Sequence, residues 1–555
     1  MIPKSLNPRR SKQLLSQRSV RQNVVPLLAG VLLLAIALRF WHLDAKPLWI
    51  DELYTAFYSL GKNPAEVPFG ELQPLAAYRT LLSLPPDSTV WSAARAVTLY
   101  SNHPPLFFML MWGWIKAVGA SVYGLRSLAA GCGVATVLAG FFLGRMVGGP
   151  KVALLTAALM AVSPFGVYLS QEARHYTLPL LISTLALMAW LRILRSLTRG
   201  QTPNLTSQVA WVLLNGLGFY THYFYLLGVF AQWLTTVLFL FRQRLSGRAW
   251  GRMVLLMGLT GLCYLPWLPT ILQHFQSEGG TGWLSTEQPL WQAILLPPVR
   301  SWVAWVMMVI LLPVEQMPEW VTLPAGALML VIWVWVFVHL RRGWRSFTAG
   351  PSLSFWLLVG YIGLTVLEIL AIAYGLGKDI TVAPRYFFIL YAALSAVMAA
   401  GLSKCASRVP AVVLSAGIVS ALLVGWNLTL FKPYLPEKVS QRWVNSGEPL
   451  AVLMAAPAPQ QRMLGLSYAL AMPPQSTALL GFTEYFPEAA DWQPTLAGLD
   501  QLPPPPLTLW LLEAHRLISF PTGVDLPGQK CLPVGELIVT EGTRQQQYRC
   551  ESAAG

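Results

Sequence analysis

The sequence has few charged residues, fewer acidic than basic ones, and few cysteines. Asp, Glu, Lys and Arg make up 11% of the 555 residues, against 55% hydrophobic residues and a mean hydropathy of +0.52. Soluble domains carry roughly 25% charged residues, so a soluble enzyme of this size is excluded, and so is a disordered chain. Five cysteines are too few for a disulfide-dense scaffold. The composition indicates a polytopic membrane protein.

The formal net charge of +15 does not indicate a nucleic-acid-binding protein. Such a protein needs basic residues clustered on one soluble face, whereas here they are spread between long apolar runs. Runs such as 24–42, 125–145 and 152–169 approach the roughly 20 residues that cross about 30 Å of hydrocarbon. We therefore expect membrane lipids as partners and no nucleic acid.

Basic residues between the apolar runs predict the orientation, because short cytoplasmic loops are rich in Lys and Arg. One assignment puts every basic loop on the cytoplasmic side, and none of these loops contains Asp or Glu. It keeps the basic N-terminus, residues 1–23, in the cytoplasm, because the first apolar run is too long for a cleaved signal peptide and lacks a cleavage site. All acidic residues except Glu368 then lie on the opposite side, and Glu368 lies inside a span.

This assignment predicts an all-α polytopic membrane protein with about 11 transmembrane helices in residues 24–430. The predicted spans are 24–43, 124–146, 152–170, 176–195, 207–221, 223–242, 253–273, 321–340, 353–375, 386–403 and 410–430. Two other apolar stretches, 105–120 and 302–313, are too short to cross and are predicted to be interfacial helices. If both crossed, the basic loops between them would change sides, which breaks the charge rule.

Two larger regions are predicted outside the cytoplasm: the first outer loop, residues 44–123, with interfacial helices, and a C-terminal region, residues 431–555. The C-terminal region is predicted to be small and mixed α/β, because the apolar runs 507–512 and 537–540 are typical of strands. It contains Cys531 and Cys550. These two residues either form a disulfide in an oxidising compartment or stay as two free thiols.

Two acidic motifs lie at the predicted outer ends of spans. Asp51 and Glu52 follow an apolar, aromatic segment just after the first span, where they could act as a general base, bind a cation, or form the acidic first turn of a helix. The motif Ser-Gln-Glu-Ala-Arg-His-Tyr at 170–176 puts Glu172 and Arg174 in a tight outer turn. Ionisable residues clustered at the membrane in this way indicate a functional site. The alternative is a structural ion pair between Glu172 and Arg174.

Three further residues are predicted at the same membrane face. His103 precedes two prolines that open an interfacial helix, so it is either a cap or part of a site. His222 stands in an outer turn that also contains tyrosines. An aromatic belt at the membrane surface explains the tyrosines but not the imidazole. Arg385 suits bidentate phosphate binding, and snorkelling towards lipid headgroups is the alternative. Together these residues suit a substrate with a phosphate at the interface, a tail in the bilayer and a reacting group outside.

Five motifs in chain order resemble those of the C-type membrane glycosyltransferases, in the branch of the bacterial relatives of protein mannosyltransferases and aminoarabinose transferases. The likeness covers about residues 24–400, and the C-terminal region has no counterpart in it. The motifs are Trp-Ile-Asp-Glu-Leu-Tyr-Thr at 49–55, His-Pro-Pro-Leu-Phe-Phe at 103–108, Ser-Gln-Glu-Ala-Arg-His-Tyr at 170–176, His-Tyr-Phe at 222–224 and Arg-Tyr at 385–386.

The resemblance implies an inverting glycosyltransferase that moves a sugar, hexosyl or pentosyl, from a polyprenyl-phosphate donor to an acceptor hydroxyl outside the cytoplasm. It implies a multi-pass protein of the plasma (inner) membrane, with the active site and the C-terminus extracytoplasmic. Asp51 would be the general base with Glu52 beside it, and Arg174 and Arg385 would bind the leaving phosphate. The remaining substrate-binding residues implied by the resemblance are His103, Glu172, Tyr176, His222 and Tyr386.

Some similar enzymes depend on a divalent cation held by carboxylates. Here Gln171 and Glu172 stand where a second pair of carboxylates would be, so we expect no cofactor. The main alternative function is a membrane transporter or flippase of a lipid-linked or anionic substrate. Transporters place ionisable residues near mid-membrane in two related halves, whereas only Glu368 is intramembrane here. A ligase transferring a whole lipid-linked glycan is a further alternative, and the acceptor (lipid, polysaccharide or protein) is left open.

Overall fold

The computed structural model describes residues 23–276, 284, 289–346, 352–430, 434–445, 449–483, 492, 502–514, 519–540 and 542–553. The predicted basic N-terminus, apart from its last residue, lies outside this part of the chain. The chain forms two compact units. We call the first the membrane unit, which comprises Met1–Leu43, Ser101–Phe107 and Arg126–Leu430, and the second the sheet unit, which comprises Asp44–Tyr100, Phe108–Leu125 and Phe431–Gly555.

Helices account for most of the described residues. In chain order they are α1 (Val24–Phe40), α2 (Ile50–Leu60), α3 (Leu75–Thr80), α4 (Val90–Tyr100), α5 (Leu106–Val118), α6 (Val122–Gly148), α7 (Pro150–Val162), α8 (Pro164–Ser170), α9 (Thr177–Thr198), α10 (Leu205–Phe219), α11 (Tyr225–Arg242), α12 (Gly247–Leu262), α13 (Leu268–Gln276), α14 (Leu290–Met307), α15 (Glu319–Arg345), α16 (Leu353–Gly375), α17 (Phe388–Leu402), α18 (Arg408–Gly425), α19 (Pro436–Val444) and α20 (Pro459–Ala471).

The prediction of a polytopic all-α membrane protein is confirmed. Within the described ranges, eight helical segments are long and apolar enough to cross a membrane, and the bent pair α7 and α8 makes a ninth. The other two predicted spans are the apolar helices α1 and α10, which have 17 and 15 residues. All 11 predicted spans are therefore helices, and two of them are short for a full crossing. α1 ends at Phe40, before the predicted boundary at 43.

The two stretches that were predicted not to cross are also helical. α5 has 13 residues, and neither α5 nor α14 is long and apolar enough to count among the candidate spans. α14 runs from Leu290 to Met307 and contains Pro297 and Pro298. The predicted stretch 302–313 therefore begins and ends later in the chain than α14. The prediction missed the first half of the helix because Pro297, Pro298 and Arg300 interrupt the apolar run.

The bend between α7 and α8 is 58° and has an identifiable cause. Pro164 has no N–H to donate to the Met160 carbonyl, so the helix breaks there. The buried Arg39 of α1 donates to Met160 O at 2.8 Å and to Ala161 O at 2.9 Å, and Tyr391 Oη donates to Met160 O at 3.0 Å. These donors satisfy carbonyls that the proline leaves open inside the membrane unit, so the bend is stabilised rather than strained.

The sheet unit contains a seven-stranded mixed sheet among its described residues, with strand order β1-β3-β2-β4-β7-β6-β5. β2 pairs in parallel with β3 and β4, and all other pairs are antiparallel. The strands are β1 (Leu72–Pro74), β2 (Leu450–Ala455), β3 (Leu479–Thr483), β4 (Leu507–Glu513), β5 (Val524–Leu526), β6 (Gln529–Thr540) and β7 (Thr543–Ser552).

Both apolar runs predicted as strands are strands, in β4 and β6, and a mixed C-terminal region is confirmed. Cys531 and Cys550 face each other across β6 and β7 and form a disulfide, which decides between the two alternatives left open by the sequence. β1 comes from residues 44–123, the stretch predicted to be the first outer loop, but pairs with β3 of the C-terminal region. Within the sheet unit, the loop and the C-terminal region therefore share one sheet.

Candidate active site

The turn between α8 and α9 carries three ionisable residues, and two of them, Glu172 and Arg174, are site residues predicted from the sequence. Glu172 and Arg174 are each 5% exposed and His175 is fully buried. The turn is tight, with Arg174 N donating to Glu172 O at 2.7 Å. Gln171 Nε2 donates to the carbonyls of Leu38 and Trp41 at 3.2 Å, at the end of α1. Gln171 therefore ties the turn to the end of α1.

Three imidazoles meet beside this turn. The His175 ring lies 4.8 Å from the ring of His103 and 4.8 Å from that of His222, between ring centroids. The segments that carry His103 and His222 are joined by a hydrogen bond from Leu106 N to Tyr220 O of 2.9 Å. We call His103, His175 and His222 the imidazole cluster.

Two guanidinium groups lie next to the imidazole cluster and share one aromatic ring. The Cζ atoms of Arg174 and Arg385 are each 5.9 Å from the centroid of the Tyr176 ring. Arg385 also lies 5.8 Å from the ring of Tyr386, and the Tyr176 and Tyr386 rings are 6.3 Å apart. His222 contacts both tyrosine rings, at 5.4 and 6.1 Å.

The positive charge of this site comes from the arginines and not from the histidines. Burial, followed by the charges of Arg174, His274 and Arg385, lowers the pKa of His103 to about 3. Burial, and then the same arginines and the neighbouring histidines, lowers the pKa of His175 and of His222 well below the usual value. All three imidazoles are therefore neutral at pH 7.

The tautomer of His222 follows from its hydrogen bonding. Phe224 N donates to His222 Nδ1 at 3.0 Å, so Nδ1 is an acceptor and the proton of the neutral ring lies on Nε2. Nε2–H is then a donor beside Tyr176 and Tyr386. A neutral donor of this kind can bind an anion without adding a full charge to a buried site.

Asp51 and Glu52 belong to the sheet unit, in the first turn of α2. Ile50 N donates to Tyr434 Oη at 2.8 Å, and Ser467 Oγ donates to Leu48 O at 2.6 Å, so α20 and the segment before α19 fix the start of α2. Glu52 is fully buried, and its carboxylate accepts from Trp49 N at 3.4 Å. This is the helix-capping arrangement that the sequence left as an alternative.

Asp51 is half-buried beside a tyrosine. Burial, and then the charge of Asp51, raises the pKa of Tyr54 to about 12, so Tyr54 stays protonated and Asp51 lies close to it. Unlike Glu52, Asp51 keeps part of its surface accessible. Of the two acids, Asp51 is therefore the more accessible.

Seven of the nine predicted site residues lie in the membrane unit. The other two, Asp51 and Glu52, lie in the sheet unit. The seven are His103, Glu172, Arg174, Tyr176, His222, Arg385 and Tyr386. Two members of the same site were not singled out as binding residues: His175, which was quoted only within its motif, and Tyr168, which is hydrogen bonded to Arg385. Tyr168 lies in the last turn of α8, just before the motif at 170–176, and that position next to the motif was the available signal.

Two observations bear on a cation site and on a transporter, which the sequence left as alternatives. In the part of the chain that the structure describes, no group of three or more His, Cys, Asp or Glu residues is arranged to hold a metal ion. Glu368 lies in α16 and is half-buried, and neither of its carboxylate oxygens accepts a hydrogen bond from the described residues.

Comparison by sequence gives no relatives: no family model matches the chain, and no curated protein matches it. Comparison by structure finds similar proteins. The chain is similar to ArnT from Cupriavidus metallidurans in the apo state, with a TM-score of 0.51 and 11% identity over 95% of this chain and 98% of ArnT. The crystal structure of the same protein bound to undecaprenyl phosphate gives a TM-score of 0.50 with 11% identity, over 94% of this chain and 97% of that one.

A lower similarity relates the chain to the oligosaccharyltransferase of Archaeoglobus fulgidus in the apo form, with a TM-score of 0.44 and 13% identity over 81% of this chain and 65% of that one. The fold that the motifs implied, that of the C-type membrane glycosyltransferases, is confirmed by the likeness to ArnT. Because the identity is 11%, the likeness to ArnT establishes the fold of this chain alone.

Proposed function

We propose that the protein is an inverting glycosyltransferase that moves a sugar from a polyprenyl-phosphate donor to the hydroxyl of an acceptor outside the cytoplasm. The observation that carries the proposal is the placement of Arg174 and Arg385 over one buried tyrosine ring, beside the neutral imidazole cluster. This arrangement suits one compact anion with several oxygen acceptors. A phosphate at the head of a membrane lipid has that chemistry.

The chemical step requires two kinds of group. As the bond between the anomeric carbon and the phosphate oxygen breaks, negative charge grows on the phosphate, and Arg174 and Arg385 stabilise it. The Nε2–H of His222 is a third donor in the same cluster. The acceptor hydroxyl attacks the anomeric carbon from the opposite side, which inverts its configuration, and its proton passes to Asp51 acting as general base. No covalent intermediate on the enzyme is required.

Asp51 is preferred over Glu52 as the base because the Glu52 carboxylate accepts from the start of its own helix. Glu52 would then support the first turn of α2, and with it the position of Asp51. His103, Glu172, Tyr176 and Tyr386 would line the site around the phosphate and the sugar. We assign no cofactor to the reaction, and activity that is unchanged after removal of divalent cations would support that assignment.

The ArnT crystal structure in complex with undecaprenyl phosphate supports a polyprenyl phosphate carrier in a protein of this fold. The charge pattern of the loops supports a plasma (inner) membrane protein with its N-terminus in the cytoplasm and its active site and C-terminus outside. A transporter or flippase is the competing proposal. The intramembrane Glu368 is the observation that favours it. Transporters, however, place their binding sites near the bilayer midplane between two related halves, and one carboxylate does not form such a site.

The test is turnover with a panel of donors. Purified protein in lipid nanodiscs is incubated with polyprenyl-phosphate sugars that differ in the sugar, and released polyprenyl phosphate is measured together with transfer to lipid, polysaccharide and peptide acceptors. The proposal expects release with at least one donor, and loss of release when Arg174 and Arg385 are both replaced by Met. Movement of intact lipid-linked sugar across the bilayer, without release of the phosphate, would instead show a flippase.

A further inference from the structure

The segment that carries Arg385 and Tyr386 is attached to the side of α14 by an ion pair. Arg300 Nη1 of α14 donates to Asp379 Oδ2 at 2.6 Å. The Asp379 side chain is 12% exposed and that of Arg300 is 30% exposed. At this depth the pair is screened less by solvent than a fully exposed pair.

Asp379 also organises the segment that follows it. Its other oxygen, Oδ1, accepts from Thr381 N at 2.9 Å and from Thr381 Oγ1 at 2.5 Å, which caps the short helix Ile380–Val382. The next short helix, Pro384–Phe387, carries Arg385 and Tyr386. One carboxylate therefore links a side chain of α14 to the backbone that leads directly into the phosphate-binding arginine.

α14 is itself held against the end of α16. Pro298 has no N–H to donate to the Ile294 carbonyl, and Tyr374 Oη of α16 donates to that carbonyl at 2.7 Å. α14 packs on both short helices, 380–382 and 384–387. The helix to which Asp379 is tied is therefore itself attached to α16.

We propose that Arg300 and Asp379 are a positioning pair, which ties the segment from Asp379 to Phe387 to α14 and so places the Arg385 guanidinium for the phosphate of the donor. This inference rests on the proposed function, because it concerns how the donor phosphate is bound. Neither residue touches the substrate. Loss of the pair frees the segment, and Arg385 then spends less time over Tyr176, which weakens donor binding more than it slows the chemical step of bound donor.

The experiment is a double-mutant cycle on donor kinetics. Arg300→Met removes the charge and keeps the length of the side chain, and Asp379→Asn removes the charge but keeps an oxygen that can cap Thr381. Each single variant is expected to raise the donor KM about tenfold and to change kcat by less than about twofold. The double variant is expected to be no worse than either single variant, because both remove the same interaction.

Two further variants test whether the effect comes from positioning. Arg300→Lys keeps the positive charge and is expected to recover the donor KM in part. Lys378→Met removes a positive charge next to Asp379 but leaves the pair, and is expected to keep the wild-type donor KM. Thermal unfolding and gel-filtration profiles of all variants show whether any of them fails to fold.

The possible outcomes separate this inference from the proposed function. If wild-type protein releases polyprenyl phosphate but Arg300→Met and Asp379→Asn keep the wild-type donor KM, the positioning pair is refuted and the function stands. An increase of about a hundredfold in the double variant would show two independent effects and would also refute the pair. If the wild type and Lys378→Met release no polyprenyl phosphate from any donor, the proposed function fails and the inference fails with it.

Discussion

Arg174 and Arg385 lie over the same ring, with each Cζ 5.9 Å from the centroid of Tyr176. They come from distant parts of the chain, one from the turn after α8 and one from the short helix before α17. Glu172 provides one carboxylate in the same turn against two guanidinium groups, and burial keeps the three imidazoles neutral. Two guanidinium groups over one buried ring suit an anionic ligand such as a phosphate.

Replacement of Arg385 by Ala should weaken binding of the donor more than binding of the acceptor. The guanidinium provides the charge and the forked donors that a phosphate oxygen pair accepts, and loss of a charged hydrogen-bonding partner typically costs a factor of about ten to a hundred in affinity. Binding of polyprenyl phosphate and of a candidate acceptor can be measured separately in nanodiscs. Equal losses for both ligands would argue against a phosphate contact.

Asp51→Asn should lower the turnover rate by a factor of about 10² to 10⁴, because a general base usually contributes a factor of that size. Asn keeps the shape of the side chain, so the helix start and the thermal unfolding midpoint should be preserved. Asp44→Asn is the matched control, since it removes an exposed acid from the same loop. Turnover of Asp51→Asn close to that of Asp44→Asn would remove Asp51 from the role of base.

Stability of the fold should decrease as the pH falls below about 6.5, the pKa of a histidine in the unfolded chain. The pKa of His103 is lowered to about 3 in the folded protein, so between these values the unfolded state binds more protons than the folded state. Above pH 6.5 both states are neutral at this residue and its contribution is constant. Each such histidine can change the unfolding equilibrium by up to about tenfold per pH unit.

His103→Gln is the variant that tests this pH dependence. It removes the titrating group but leaves a neutral polar side chain, so the thermal unfolding midpoint should fall less steeply between pH 7 and pH 5 than in the wild type. His339→Gln serves as a control, because His339 lies in α15, away from the imidazole cluster. Identical pH profiles for wild type and His103→Gln would contradict the buried neutral state of His103.

Arg39→Met should destabilise the bend between α7 and α8. The substitution removes the donors to the carbonyls of Met160 and Ala161, and a buried acceptor without a donor costs about 1 to 3 kcal/mol. Tyr391→Phe removes only the second donor to Met160 O and should have a smaller effect. The measurement is the thermal unfolding midpoint in detergent. An unchanged midpoint in Arg39→Met would mean that the carbonyls find other donors.

The membrane-spanning architecture and most of the candidate site could be predicted from the sequence. Apolar runs and loop charges are local properties, so the positions of the 11 helices follow from them, and motifs at helix ends identify residues that meet at one face. The bent pair α7 and α8 could also be anticipated in part, because Pro164 lies within a predicted span.

Features that depend on distant neighbours could not be predicted. Leu72–Pro74 has no strand pattern of its own and becomes β1 only because β3 offers a partner edge. Arg39 reads as an ordinary cationic end of the first span, and only the structure shows that it donates to α7. Likewise, nothing in the sequence links Arg300 to Asp379, because their pairing depends on how α14 packs. Glu52 was grouped with Asp51, and its capping role emerged from the position of Trp49.

The most direct test of the central claim is to compare the binding of two lipids that differ only in the phosphate. Native mass spectrometry or a scintillation assay in nanodiscs can measure polyprenyl phosphate and the corresponding polyprenol on wild-type protein and on the Arg174→Met, Arg385→Met double variant. We predict that wild-type protein binds polyprenyl phosphate much more tightly than polyprenol, and that the double variant no longer distinguishes them. Equal binding of both lipids by the wild type would contradict the proposal that the two arginines form a phosphate site.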